Sequence, residues 1–284
     1  MDRCGTSTGP SSRRIVSWRR RPRRLAEAQT PWCDGAVITD PDPLVLVGEM
    51  YGIQLDQLSD VLGTTPRRTA AQVARWRAAG SAQAAVLSAG PRWVWLTRAG
   101  LAACGLPYRA VPPGLSRLAH LRAATAVRLT FAATPQVRSG GAYWRSERRL
   151  RARMGGRIGL REHVPDAELH WPDSAAFPWA GECWAIEAEL TAKTAVRTAA
   201  IMRELLTRTG DYGCPSAEVH VPGRPSRHAR AIYLCEPAAV PVVSRARAVL
   251  GALGDRVEIR LLPDSAALGT ASRSSTTPVP SGVP

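Results

Sequence analysis

Lysine is all but missing from this chain: Lys193 stands alone, and every other Lys-or-Arg position is arginine. Acid is scarce too, with 23 Asp and Glu against 38 Lys and Arg, and the formal charge of +15 excludes a neutral surface. Such a charge calls for a polyanionic partner, and double-stranded DNA is expected ahead of a membrane surface. No run approaches the roughly 18 apolar residues of a spanning helix, and the N-terminus lacks the apolar core of a signal peptide. A soluble, cytoplasmic protein with no membrane partner is therefore expected. The six cysteines, at 4, 33, 104, 183, 214 and 235, form no C-x-x-C pair, which excludes a zinc knuckle or a disulfide framework and leaves them as free thiols. The five histidines, at 120, 163, 170, 220 and 228, form no closely spaced pair of the kind a relaxase metal site wants, so a relaxase or topoisomerase acting through tyrosine fits poorly. Only 2 Phe are present, yet 9 Trp and a 45% hydrophobic content suffice for a core.

The chain's order is legible. Residues 1–42 are rich in Arg, Ser and Pro, with seven arginines between Arg13 and Arg24 gathered around Trp18. This composition cannot collapse alone, and it predicts a disordered basic arm that neutralises phosphates, or a solvated tail. Residues 43–106 read as helices over Leu44–Tyr51 and Leu55–Leu62, then a third opened by Thr65 as N-cap with Pro66 in its first turn and closed by Gly80. Ala70, Val73, Ala74 and Arg77 share a face of that third helix. Ala82–Leu87 and Arg92–Leu96 follow as a hairpin with a four-residue loop, and Thr97 caps a closing helix. Three helices and a hairpin, with the phrase Trp95-Leu96-Thr97-Arg98-Ala99-Gly100-Leu101, resemble a winged helix-turn-helix domain. That resemblance implies a third helix in the major groove, with Arg67, Arg68 and Gln72 nearest the base edges and Arg75 on the same helix. A winged helix used only for protein contacts is the alternative.

Residues 107–114, with three prolines, read as a linker, and residues 264–284, rich in Ser, Thr, Pro and Gly, as a disordered tail. Between them, residues 115–263 give an α/β domain built on a mixed sheet. Leu115–Ala133 is a helix striped by Leu118, Leu121, Thr125 and Leu129, with His120 and Arg122 off the stripe. Tyr143–Leu150 reads as a capped helix start with Glu147 in its first turn. Arg161–Trp171 and Glu182–Leu190 read as strands, Lys193–Thr209 as a helix ended by Gly210, then Ala231–Cys235 as a strand, Val240–Leu253 as a helix and Val257–Leu262 as a last strand. Because strand side chains alternate, Asp166 and Glu168 share one face, and so do Glu187 and Glu189, with Ile186, Ala188 and Leu190 turned into a core. Two acids on one strand face mark a site or an edge. Lys193 just beyond them is either a compact ammonium of tunable pKa or a surface lysine that survived drift.

The order helix, strands, helix, strand, with Pro165-Asp166 and the E-x-E-x-x-x-K phrase from Glu187 to Lys193, resembles the restriction-endonuclease-like fold of the PD-(D/E)xK nucleases. The resemblance implies a divalent cation, Mg²⁺ or Mn²⁺, held by Asp166 and Glu187, because phosphodiester hydrolysis at neutral pH needs a hard ion on the phosphate and an activated water. The water-orienting group in that superfamily is usually a lysine two residues after the glutamate. Glu189 stands there in this chain, so Glu189 and Lys193 compete for the role, and Glu147 matches an acid carried on the preceding helix. Joined to the winged helix, these features resemble the replication-relaxation family of actinobacterial plasmids and integrative elements, around the phrases HVPDAEL and AIEAELTAKT. The family resemblance implies a DNA-binding protein of plasmid or mobile-element replication and relaxation, with replication or transfer proteins as partners. Two activities follow from it: a metal-dependent DNA nickase or nuclease, or a non-catalytic winged-helix replication or transcription factor with a degenerate nuclease fold.

Overall fold

The computed structural model describes residues 36–37, 42–153, 163–191, 193–209 and 226–263. Most of the expected basic arm, the C-terminal tail, Gly210, Arg161 and Glu162 lie outside the described residues; within the arm, Ala36–Val37 is not disordered but pairs as a strand with Tyr143–Trp144, and Asp42 caps the first helix. The chain is a mixed α/β structure with a six-stranded mixed sheet and a smaller three-stranded antiparallel one.

The smaller sheet lies in the N-terminal part. Helices α1 (Pro43–Glu49), α2 (Leu55–Val61) and α3 (Pro66–Ala78) are followed by strands β3 (Ala82–Ala85) and β4 (Trp93–Leu96), and β4 pairs on its other side with the two-residue β2 (Ile53–Gln54). Caps set the helix starts: Asp42 accepts from Leu44 N, Thr65 from Arg68 N, and Thr97 from Gly100 N at the start of α4 (Arg98–Ala103). Gly100 is required by packing, since a Cβ there would lie 1.9 Å from the carbonyl oxygen of Ser81. The core gathers Leu46, Val47, Ile53, Leu58, Val73, Val94 and Leu96. Two expectations are corrected. The buried side of α3 is Thr69 and Val73, with Trp76 partly buried beside them, spaced i, i+4, i+7; Ala70, Ala74 and Arg77 are exposed. The link between β3 and β4 is longer than four residues because the strands end at Ala85 and resume at Trp93.

The larger sheet runs β1 (Ala36–Val37), β5 (Tyr143–Ser146), β6 (Ala167–His170), β7 (Cys183–Glu189), β8 (Arg230–Cys235), β9 (Val257–Leu261), antiparallel as far as β7 and parallel from β7 to β9. Crossover helices α8 (Ala195–Thr207) and α9 (Val240–Ala248) make the parallel steps. They cover one face, where Ala185, Ala199, Met202, Leu205, Tyr233 and Val243 pack. Helix α5 (Leu118–Ala133), extended by a 3₁₀ turn over Leu115–Arg117, packs under the other face through Val127 and Phe131. The short α6 (Pro135–Gly140) follows it. Tyr143–Ser146 is a strand where a helix start was expected, because Trp144 pairs with Leu169 and lies in the core; α7 (Glu147–Arg153) begins only at Glu147. Strand β7 is interior, flanked by β6 and β8, so the paired acids do not mark an edge. Both of its faces are buried.

Among the described residues, no helix is long and apolar enough to cross a membrane.

Candidate functional site

Sheet register brings the acids together. Glu147 opens α7 directly after β5, and its backbone N–H donates to Asp166 O at 2.8 Å. Asp166 precedes β6, and its Oδ2 accepts from Ala188 N on β7 at 2.8 Å, which places it beside Glu187. These ties fix three carboxylates from α7, β6 and β7 at one end of the sheet.

Each acid has a basic neighbour. Glu147 accepts from Arg117 and from Arg151 Nε at 2.6 Å. His120 Nε2 on α5 lies 2.9 Å from Asp166 Oδ1, and that hydrogen bond, opposed by burial, raises the His120 pKa above its ordinary value. Glu187 Oε1 meets His163 Nε2 at 2.6 Å. Glu189 Oε2 accepts from Lys193 Nζ, also at 2.6 Å. Burial pushes Glu187 up to about 7, with the negative charge of Asp166 adding to the rise while His163 and Lys193 oppose it. His163 is drawn down by burial yet ends above its ordinary value, because Glu187 stabilises the imidazolium. The site opens to solvent through Lys193, His120 and His163, whose side chains are 37%, 28% and 25% exposed, while Glu187 and Glu189 are buried at 6%.

One orphan faces this cluster. Tyr233, paired in register with Glu187, has a buried hydroxyl with no partner among the described residues. Burial, with the charges of Glu187, Glu189 and Asp166, keeps its phenol protonated.

Ligand atoms of His120, Glu147 and Asp166 all lie within 4.8 Å of one another, a span one ion can bridge, and the same three side chains line a cavity of about 10 Å³. The residues therefore fit a divalent cation at Asp166, with Glu147 and His120 as companions. Glu187, expected as the second ligand, is buried next to Asp166 and engaged by His163.

Sequence reasoning passed over two residues here. His120 comes from a distant helix and carried no local signal, whereas His163 stands three positions before Asp166 in HVPD and could have been found. The nucleic-acid candidates lie elsewhere: Arg67, Arg68 and Arg75 are exposed on α3, and Gln72, half-buried, accepts from Arg75. Among the described residues, no hydrogen bond or ion pair joins them to the acids. Comparison with family models, with curated proteins and with solved structures finds no match for the chain.

Proposed function

We propose that the protein binds double-stranded DNA and nicks or cleaves it with Mg²⁺ or Mn²⁺, as a cytoplasmic member of the replication-relaxation family of plasmids and mobile elements, working with replication or transfer proteins. The observation that carries this reading is the convergence of Asp166, Glu187 and Glu147 at one end of a sheet whose order is helix, three antiparallel strands, crossover helix, parallel strand. That order supports a restriction-endonuclease-like domain over residues 115–263. Three helices followed by paired strands support a winged helix over residues 43–106, joined through 107–114, with Arg67, Arg68, Gln72 and Arg75 facing DNA.

A divalent cation at Asp166 would bind the scissile phosphate and lower the pKa of its water. Asp166, Glu147 and His120 would hold and orient that group. Glu187, raised to about 7, is matched to accept a proton near neutral pH, with the His163 ring 2.6 Å away holding its carboxylate in place. Lys193 neutralises Glu189, which would otherwise repel a phosphate, and its partly exposed ammonium is free to approach one.

A second reading has its own observation. Every acid of the cluster already has a basic or proton-bearing partner, as in a retired site used only to shape a DNA-binding factor. Incubating the protein with supercoiled plasmid and Mg²⁺ or Mn²⁺ separates the two. Nicked product that disappears in Asp166→Ala, with DNA binding retained, supports the nuclease; no product from the parent protein leaves the binding factor.

A further inference from the structure

We infer that Glu168, Cys183 and His228, with His170 beside them, form a buried site for Zn²⁺, separate from the acidic end of the sheet and independent of the nuclease reading. The four come from three segments that the sheet makes neighbours. Glu168 and His170 share a face of β6, Cys183 of β7 is the register partner of His170, and His228 stands just before β8. Ligand atoms of Glu168, Cys183 and His228 lie within 4.8 Å of one another. His170 Nε2 lies at the side of this group, 2.8 Å from Glu168 Oε2 and 3.5 Å from Cys183 Sγ.

Donor and acceptor bookkeeping gives the reason for a cation. His228 Nδ1 is 3.0 Å from the carbonyl oxygen of Leu205, so it must carry a hydrogen; Nε2 is then the lone-pair nitrogen of a neutral ring. That nitrogen lies 2.9 Å from Glu168 Oε1, a carboxylate oxygen, and lone pair against lone pair requires a positive species between them. The choice is a second proton, giving an imidazolium with no solvent exposure, or a metal ion. A ring nitrogen bonded to a backbone carbonyl while the other points inward is the outer-shell arrangement of metal-bound histidines.

The carboxylate is prepared in the same way. Arg227 forks it, Nε to Oε1 at 2.6 Å and Nη2 to Oε2 at 2.9 Å, taking one lone pair from each oxygen and leaving one on each for an imidazole. His170 is fixed by stacking on Tyr143, with ring centroids 4.6 Å apart.

An imidazole, a thiol and a carboxylate, with a second imidazole at their side, suit Zn²⁺ better than Mg²⁺, and their burial is that of a structural centre. Tetrahedral bonds of about 2.0–2.3 Å need ligand separations of about 3.3–3.7 Å. The 2.9 Å contact of His228 with Glu168 needs to open by about half an ångström, and Cys183 Sγ to close on the pair from within 4.8 Å. Arg145, 3.6 Å from Glu168 Oε2, and Arg227 place positive charge nearby, and the thiolate formed when Cys183 loses its proton on binding compensates for the ion.

The test is metal content and a cobalt spectrum of the full chain. The expected results are one zinc retained per chain after dialysis without chelator and, after exchange for Co²⁺, a near-ultraviolet thiolate-to-cobalt band. Cys183→Ser should lose the band while its far-ultraviolet circular dichroism matches the parent, and Asp166→Ala, which empties the acidic site, should keep it. Should Cys183→Ser fail to fold, protection of Cys183 from a thiol reagent by zinc, mapped by mass spectrometry on the parent, takes its place. No retained zinc, no thiolate band in the parent, a band that survives Cys183→Ser, or a Cys183 that zinc does not protect would each overturn the site and leave a proton-bridged ion cluster.

Discussion

Replacing Glu187 by Gln keeps the shape of the side chain and removes its charge, so it isolates what burying that carboxylate does. The folded-state pKa, about 7, lies above the ordinary 4.5, so the folded protein holds this proton more tightly than the unfolded chain does. Stability is therefore greatest below 4.5 and falls as pH rises from there to about 7. His163 runs the same way. Its raised pKa means that its contribution, complete below 6.5, is lost as pH climbs through the folded-state value. The rise at Glu187 corresponds to at most about 3 kcal/mol, because His163 shares the proton. With EDTA present, Glu187→Gln should match the parent at about pH 5, where the folded parent already holds Glu187 protonated and uncharged. It should be more stable at about pH 8 by up to that amount, roughly 6–12 °C in Tm for a chain of this size. Thermal unfolding at a series of pH values reads both ends. A difference constant with pH, or a parent that is the more stable at about pH 8, would show that Glu187 is not a destabilised buried acid and would remove the basis for giving it a proton-transfer role.

Two further expectations concern DNA and Lys193. Binding should weaken steeply with salt, with a log–log slope of about −0.9 per phosphate contact, and Arg67→Ala or Arg68→Ala should cost about 1–3 kcal/mol on a preferred sequence for a side chain that reads a base edge. Fluorescence anisotropy on preferred and scrambled duplexes checks this, and equal losses on both would assign the arginines to phosphates alone. Lys193→Arg preserves the pair with Glu189 but removes a compact, tunable ammonium, so plasmid nicking should fall while binding is unchanged; unaltered nicking would shift the water-orienting role to Glu189.

Local chemistry wrote much of this fold openly. The interior strands β7 and β8 read as apolar runs, and Thr65, Thr97 and Thr194 sit at helix starts as N-caps. Tyr143–Ser146 was not legible, because Ser146 followed by Glu147 reads as a helix cap and only the pairing of Trp144 with Leu169 makes it a strand. Alternation placed Glu187 and Glu189 on one face but could not tell that the crossover helices α8 and α9 would cover it, which is what raises Glu187. The partners of the acids were the least legible part. Arg117 and His120 belong to the α5 segment and His163 to a loop, and only the folded sheet sets them against Glu147, Asp166 and Glu187. Glu168 read as one more acid beside Asp166, when in the fold it is the fully buried centre of its own cluster.

Arg117, which holds Glu147, and Arg148 and Arg149, which follow Glu147 on α7, tie the acidic end to the N-terminal helices, so that end is sensitive to what those helices do. Arg148, next to Glu147 on α7, donates to Gly48 O at 2.6 Å and Arg109 O at 2.7 Å, and its guanidinium lies over the rings of Tyr51 and Tyr108. Tyr51 holds a left-handed backbone at φ 61, a strained conformation for a non-glycine residue that persists only when its surroundings fix it. Arg117 covers the same ring at 5.3 Å while donating to Glu147. Glu49 completes the clamp, accepting from Ser146, from Arg149 Nε at 3.0 Å and from the hydroxyl of Tyr108 at 2.8 Å. A shift of α1 would thus have to move Tyr51 and Arg148, and with them the start of α7 and the carboxylate of Glu147. If the N-terminal helices dock on a duplex as proposed, that docking and the assembly of the acidic cluster would be two ends of one set of contacts. Under the proposed function, that set fixes the distance between the sequence that is bound and the phosphate that is cut.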